Sequence, residues 1–198
     1  MAGRALIVVD VQNDFCEGGS VAVKGGAERA RAIEELVRRQ AGGEYREVVA
    51  TRDHHIDPGD HFSDHPDWNH SFPVHCRVGS EGSEFHPEFA PAVASGAVGE
   101  VFFKGAHSES KSGFEGATGD GVGLAAWLRA RDVDTVDVVG IATDHCVKAT
   151  ALDGVRAGFG VRVLLDYTAG VARETTDRAM EELRAAGVEL TGDPVVRA

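Results

Sequence analysis

Short apolar runs alternating with amphipathic helical patterns constrain this chain more than any other feature. Ala5 to Val9 is apolar throughout and ends at Asp10. Glu47-Val-Val-Ala-Thr51 ends at Arg52-Asp53, Glu100-Val-Phe-Phe103 at Lys104-Gly105, and Val161 to Leu165 at Asp166. Thr135-Val-Asp-Val-Val139 runs into Gly140, and Val188-Glu-Leu190 is a short final strand. Between them, Ala30, Ile33, Leu36 and Val37 mark a helix from about Ala27 to Arg39, closed by Gly42-Gly43. Leu124, Trp127 and Leu128 mark another, as do Ala179, Met180, Leu183 and Ala186. Strands without polar alternation are buried on both faces, so the pattern predicts an α/β fold. Its form is a three-layer sandwich: a mostly parallel, doubly wound sheet with helices on both faces. The 198 residues suit one domain, residues 1–198, with a long irregular loop region at about 53–99.

Open parallel sheets build their sites at the carboxyl ends of the strands. Asp10, Asp53 and Lys104 end three of them, and a thiol follows a fourth. That thiol is Cys146, in the turn Gly140-Ile-Ala-Thr-Asp-His-Cys146 between a strand and a helix whose apolar positions are Val147, Ala151, Leu152 and Val155. A helix N-terminus offers free N–H groups and partial positive charge, which favour a thiolate and can hold an oxyanion. A lone cysteine is more often a structural one. The convergence of acid, lysine and thiol on one sheet edge favours a chemical role here.

Residues 54–99 form a stretch rich in Pro, Gly, His and Asp, without clear periodicity, and loops that long in a compact domain are usually functional. Asp53, His55, His61 and His75 supply one carboxylate and three imidazoles, a donor set for one divalent ion such as Zn, Fe or Mn. Asp53 and His55 point the same way from an extended segment, and His61 returns after the Pro58-Gly59 turn. His54, His65, His70 and His86 are read as bystanders.

A net charge of −12 argues against nucleic acid or an anionic membrane as partner, since either needs a basic face. Three widely spaced cysteines, Cys16, Cys76 and Cys146, do not make a disulfide framework. The N-terminal residues pass straight into a strand, without the apolar region and cleavage site of a signal peptide. The expected setting is cytoplasmic, with a small-molecule substrate and a monomer or small homo-oligomer.

Taken together, Asp10-Val-Gln-Asn-Asp-Phe-Cys-Glu-Gly-Gly19, Asp53-His-His-Ile-Asp-Pro-Gly-Asp-His-Phe62, Phe103-Lys-Gly105 and Gly140 to Cys146 resemble the nicotinamidase/pyrazinamidase family of isochorismatase-like cysteine hydrolases. The motifs occur in the family's order and span nearly the whole chain. The resemblance implies Asp10 as acid/base, Lys104 as catalytic lysine, Cys146 as nucleophile, and Asp53, His55, His61 and His75 as ligands of a metal that orients the substrate's pyridine ring. It implies a non-proline cis peptide at Ile141-Ala142 and an oxyanion hole from the N–H groups of Ala142 and Cys146. Phe15 and Phe72 would sandwich the nicotinamide ring, with Ile141, Ala142 and His145 completing the pocket. Phe72 stands where relatives often carry Trp, and Lys111 where they often carry a rim aromatic. Rival readings are an isochorismatase or carbamoyl amidase, a metallohydrolase using metal-bound water with Cys146 structural, and a non-enzymatic binding protein.

Overall fold

A computed structural model describes residues 3–40 and 43–197. Strands β1 (Gly3–Val9), β2 (Glu47–Asp53), β3 (Glu100–Lys104), β4 (Val133–Ile141), β5 (Gly160–Gly170), β6 (Glu189–Thr191) and β7 (Val195–Val196) form one sheet. Its order is β3-β2-β1-β4-β5-β6, with β7 also paired to β5, and every pairing is parallel. The helices are α1 (Gly26–Arg39), α2 (Ala90–Ala94), α3 (Leu124–Arg129), α4 (Lys148–Arg156) and α5 (Arg173–Ala185). None of the described helices is long and apolar enough to cross a membrane.

Period-two alternation in β1 feeds both cores. Ala5, Ile7 and Val9 pack with Leu124, Leu128, Ala151 and Leu183 from α3, α4 and α5. Leu6 and Val8 pack with Ile33, Leu36 and Val37 of α1 and Ala92 of α2. These are the two helical layers that strands apolar on both faces require.

The elements match the sequence expectation in kind and mostly in place. β4 and β5 extend further than the apolar runs, and β6 starts one residue later than predicted. Gly42, predicted to close α1, lies outside the described residues. The irregular region contains α2 and tight turns at Gly59–His61 and Glu81–Ser83. These are too short for a 3.6-residue period to show.

Asp137, inside an apolar strand pattern, is fully buried. Arg4 Nη1 donates to its Oδ1 at 2.6 Å, Arg162 Nε to Oδ1 at 3.0 Å, and the Tyr45 hydroxyl to Oδ2 at 2.6 Å. The cluster ties β1, β4, β5 and the approach to β2 near their amino-terminal ends, away from the strand ends that carry the site. Replacing one member of a buried ionic cluster strands the others. Asp137→Ala is expected to cost about 2–3 kcal/mol, below the full penalty because both guanidinium groups keep solvent access. That corresponds to a melting temperature lower by roughly 4–12 °C, read by thermal denaturation; an unchanged melting temperature would contradict it.

Candidate active site

Strand register assembles the site. Asp53, the last residue of β2, lies opposite Lys104, the last of β3, and Val9 is opposite both Thr51 and Gly140. Asp10 therefore leaves β1 beside β2, in a left-handed conformation with φ 50°. Its Oδ1 accepts from Thr51 Oγ1 at 2.7 Å, and its Oδ2 lies 2.9 Å from Lys104 Nζ. Lys104 Nζ also donates to Asp53 Oδ1, so one ammonium serves two carboxylates. All three side chains are at most 3% exposed.

Burial acts on these groups unequally. It raises the Asp10 carboxyl above the usual carboxylate range, against the pull of Lys104 and with added repulsion from Asp53. Asp53 is also opposed by burial, but Lys104 and the adjacent imidazoles hold it well below that range. Burial opposes the charge on Lys104, yet the two carboxylates hold it well above its ordinary value. Burial raises the Cys146 thiol well above its ordinary value despite the lowering effect of Lys104, and the neighbouring Asp10 and Asp53 carboxylates raise it further. Desolvation thus opposes the thiolate that the helix end was expected to favour, and the neighbouring carboxylates oppose a further anion.

The local backbone explains how the thiol reaches the carboxylate. Gly140 has φ 120°, and a Cβ there would collide with the carbonyl oxygen of Val9, so β4 can pass this close to β1 only at a glycine. The Ile141-Ala142 peptide is cis, as the resemblance implies. Thr143–Val147 then forms a π-helical turn before α4, so Cys146 precedes the regular helix. Thr150 Oγ1 donates to the Cys146 carbonyl at 2.7 Å, and Asp144 accepts from Val171 N at 3.0 Å, Ala172 N at 3.4 Å and Thr175 Oγ1. Asp144 thus joins the turn to the start of α5.

Beside this group, ligand nitrogens of His55, His61 and His75 lie within 4.8 Å of one another. Each ring's Nδ1 contacts a backbone carbonyl: Gly105 O at 2.6 Å, His70 O at 2.7 Å and Pro73 O at 2.8 Å, respectively. A carbonyl only accepts, so each Nδ1 carries hydrogen, and Nε2 is the nitrogen each ring has left to offer a ligand. Asp53 Oδ2 lies 3.4 Å from His55 Nε2 and 3.7 Å from His75 Nε2. His55 Nε2 is buried without a hydrogen-bond partner. Three imidazoles with one carboxylate in a buried space fit a borderline divalent ion. His54 faces away, edge-on to Phe103 with ring centroids 5.0 Å apart.

A cavity of about 390 Å³ opens over both groups. Phe15, Phe72, Ile141, Ala142, His145 and Cys146 line it, together with Asp53, His61 and His75. Asp10, Lys104 and His55 sit behind that wall.

The chain matches the isochorismatase domain family over residues 4–193. It is 57% identical to the nicotinamidase/pyrazinamidase of Mycobacterium tuberculosis, over 94% of this chain and 97% of that protein. The chain belongs to the isochorismatase family. Among solved structures, the pyrazinamidase of Pyrococcus horikoshii in complex with zinc superposes with TM-score 0.76, at 35% identity, over 95% of this chain and 98% of that one. The L. infantum PnC1 structure in complex with nicotinate superposes with TM-score 0.81, at 31% identity, over 99% of this chain and 96% of that one.

Several residues that shape this isochorismatase-family site are not singled out by the sequence pattern. Gln12, fully buried, accepts from Asp53 N at 2.8 Å and donates to Asp53 O at 2.9 Å and Ser83 O at 2.8 Å. Asp14 accepts from Cys76 N at 2.7 Å and so seats the segment bearing His75. Both lie in the Asp10-to-Gly19 motif, and that membership is their one sequence signal. Trp68 lines the cavity edge-on to Phe72 with ring centroids 6.2 Å apart, adding aromatic surface at a rim where Lys111 supplies none. Asp144→Ala removes the acceptor at the start of α5, a cost of about 1–2 kcal/mol. A melting temperature lower by roughly 2–8 °C is expected in thermal denaturation; no shift would show that the contacts carry no stability.

Proposed function

We propose that this protein hydrolyses nicotinamide to nicotinate and ammonia through a thioester on Cys146, and takes pyrazinamide by the same route. The observation that carries the reading is the buried Asp10–Lys104 pair behind the Cys146 thiol, at the wall of an aromatic-lined cavity. The relatives named nicotinamidase and pyrazinamidase, and the L. infantum neighbour holding nicotinate, support the substrate.

Asp10 takes the thiol proton as Sγ attacks the carboxamide carbon and forms the C–S bond. The N–H groups of Ala142 and Cys146 receive the oxyanion, typically worth about 3 kcal/mol for one donor. Collapse breaks the C–N bond, and Asp10 returns the proton to the departing nitrogen, releasing ammonia. Asp10 then deprotonates a water that adds to the thioester. Breaking of the C–S bond gives nicotinate and restores the thiol. Lys104 stabilises negative charge on Asp10 and on sulfur through these steps. His145, burial-shifted below the ordinary imidazole range, borders the cavity as a neutral ring and helps shape it.

His55, His61, His75 and Asp53 would hold a divalent ion, zinc being the metal in the P. horikoshii neighbour. When bound, such an ion supplies a Lewis-acid site for the pyridine nitrogen and so fixes the ring's orientation. Phe15 and Phe72 flank the ring. Three unpaired thiols are consistent with a reducing, cytoplasmic setting.

Cys146→Ala is expected to lower ammonia release from nicotinamide by about 10⁴-fold or more while leaving the melting temperature and metal content in place. Retained turnover would favour the metal-bound-water hydrolase instead. Removing the metal is expected to weaken nicotinate binding, measured by calorimetry, by at least about tenfold; unchanged affinity would refute the orienting role.

A further inference from the structure

Lys111 sits at the rim of the cavity, in the loop that follows β3 and far in sequence from the imidazoles. Its ammonium donates to the backbone carbonyl of Asn69 at 2.7 Å and pairs with Glu109 Oε1 at 2.9 Å. Glu109 uses its other oxygen on the His70 ring, Nδ1 to Oε2 at 3.3 Å. Two neighbouring residues, Asn69 and His70, are therefore gripped from across the mouth, one by its backbone and one by its side chain.

The gripped segment already has a fold of its own. Asp67 Oδ1 accepts from the backbone N–H groups of Asn69 at 2.9 Å, His70 at 2.8 Å and Ser71 at 2.9 Å. These bonds draw the Asp67 carboxyl far below its usual range and make residues 67–71 a stiff unit. Trp68 rides on that unit, in a left-handed conformation with φ 59°. A stiff unit transmits whatever holds it. What it transmits is the position of the His70 carbonyl, the oxygen that accepts from His61 Nδ1 at 2.7 Å.

We propose that Lys111, with Glu109, is a positioning residue for the imidazole cluster: it anchors residues 69–70 so that the His70 carbonyl holds His61 with Nε2 turned toward His55 and His75. Partners that orient a ligand's second nitrogen commonly change metal affinity by about 10–100-fold when lost. Lys111 reaches one step further out, so the lower end of that range applies. The same clasp seats Trp68 beside Phe72, which ties the aromatic wall of the cavity to the metal cluster. The pair differs from a simple surface ion pair in that the ammonium also bonds to backbone, at the residue next to the carbonyl that holds His61. The inference rests on the metal reading of the three imidazoles given above.

The test compares Zn²⁺ affinity, by competition with a chromogenic chelator, in the full-length protein and in Lys111→Met, Lys111→Arg, Glu109→Gln and His61→Ala. Lys111→Met keeps most of the length of the side chain and removes the charge. It is expected to bind Zn²⁺ about tenfold more weakly, with Glu109→Gln weakened in the same direction and Lys111→Arg recovering to within about threefold of the parent. At saturating Zn²⁺, KM for nicotinamide is expected to rise more than kcat falls in Lys111→Met, since the wall is displaced and the thiol is not. Zn²⁺ affinity in Lys111→Met within twofold of the parent, or no recovery with Arg, overturns the proposal. His61→Ala separates the two readings: if it binds Zn²⁺ as tightly as the parent, the metal reading itself fails.

Discussion

One buried ammonium organises the site. Lys104 stands between Asp10 and Asp53, and among the described residues no other lysine or arginine lies within ion-pair distance of either carboxylate. A charge this deep persists only with a partner. Because the partner is shared, the carboxylates do not divide it equally. Asp53 is held ionised, facing the imidazoles, while Asp10 is left with a raised affinity for a proton, facing the thiol. One side chain thus divides the strand ends into a half where an ionised carboxylate faces imidazoles and a half where a carboxyl with raised proton affinity faces the thiol.

The backbone makes this arrangement possible at close range. Gly140 lets β4 run against β1, the π-helical turn brings Cys146 back over Asp10, and Asp144 holds that turn to α5. Gln12 performs the corresponding task between the ends of β1 and β2, satisfying both backbone groups of Asp53 with one amide. The buried polar groups near the chemistry are mostly paired with protein. The unpaired His55 Nε2 points into the cluster that fits a metal. A polar atom left unpaired in a dry interior is costly, so its position marks where a ligand belongs.

Much of this is legible along the chain. Continuous apolar runs announce a parallel sheet, and parallel sheets collect their chemistry at strand ends, so position in the chain is enough to put Asp10, Asp53, Lys104 and Cys146 on one edge. Short-range geometry puts Asp53 and His55 on one side and His54 on the other, and the fold keeps them there. Less legible are residues whose role depends on what faces them. Asp137 reads as an interruption of a strand until Arg4, Arg162 and Tyr45 converge on it. His70 reads as a spare imidazole, and its ring is no ligand; its carbonyl, which any residue carries, holds His61. Trp68 reads as loop surface until the loop folds beside Phe72.

The amino-acid sequence alone therefore determined the architecture, the edge on which the site lies, and the identities of thiol, acid, lysine and imidazoles. Periodicity and strand-end position are local properties, and local properties survive without tertiary context. Only the tertiary structure decided the protonation preferences and the supporting contacts. The helix end suggested a thiolate at Cys146, but burial beside two carboxylates favours the thiol. Solvation and charge–charge coupling depend on every neighbour in three dimensions, and no spacing along the chain encodes them.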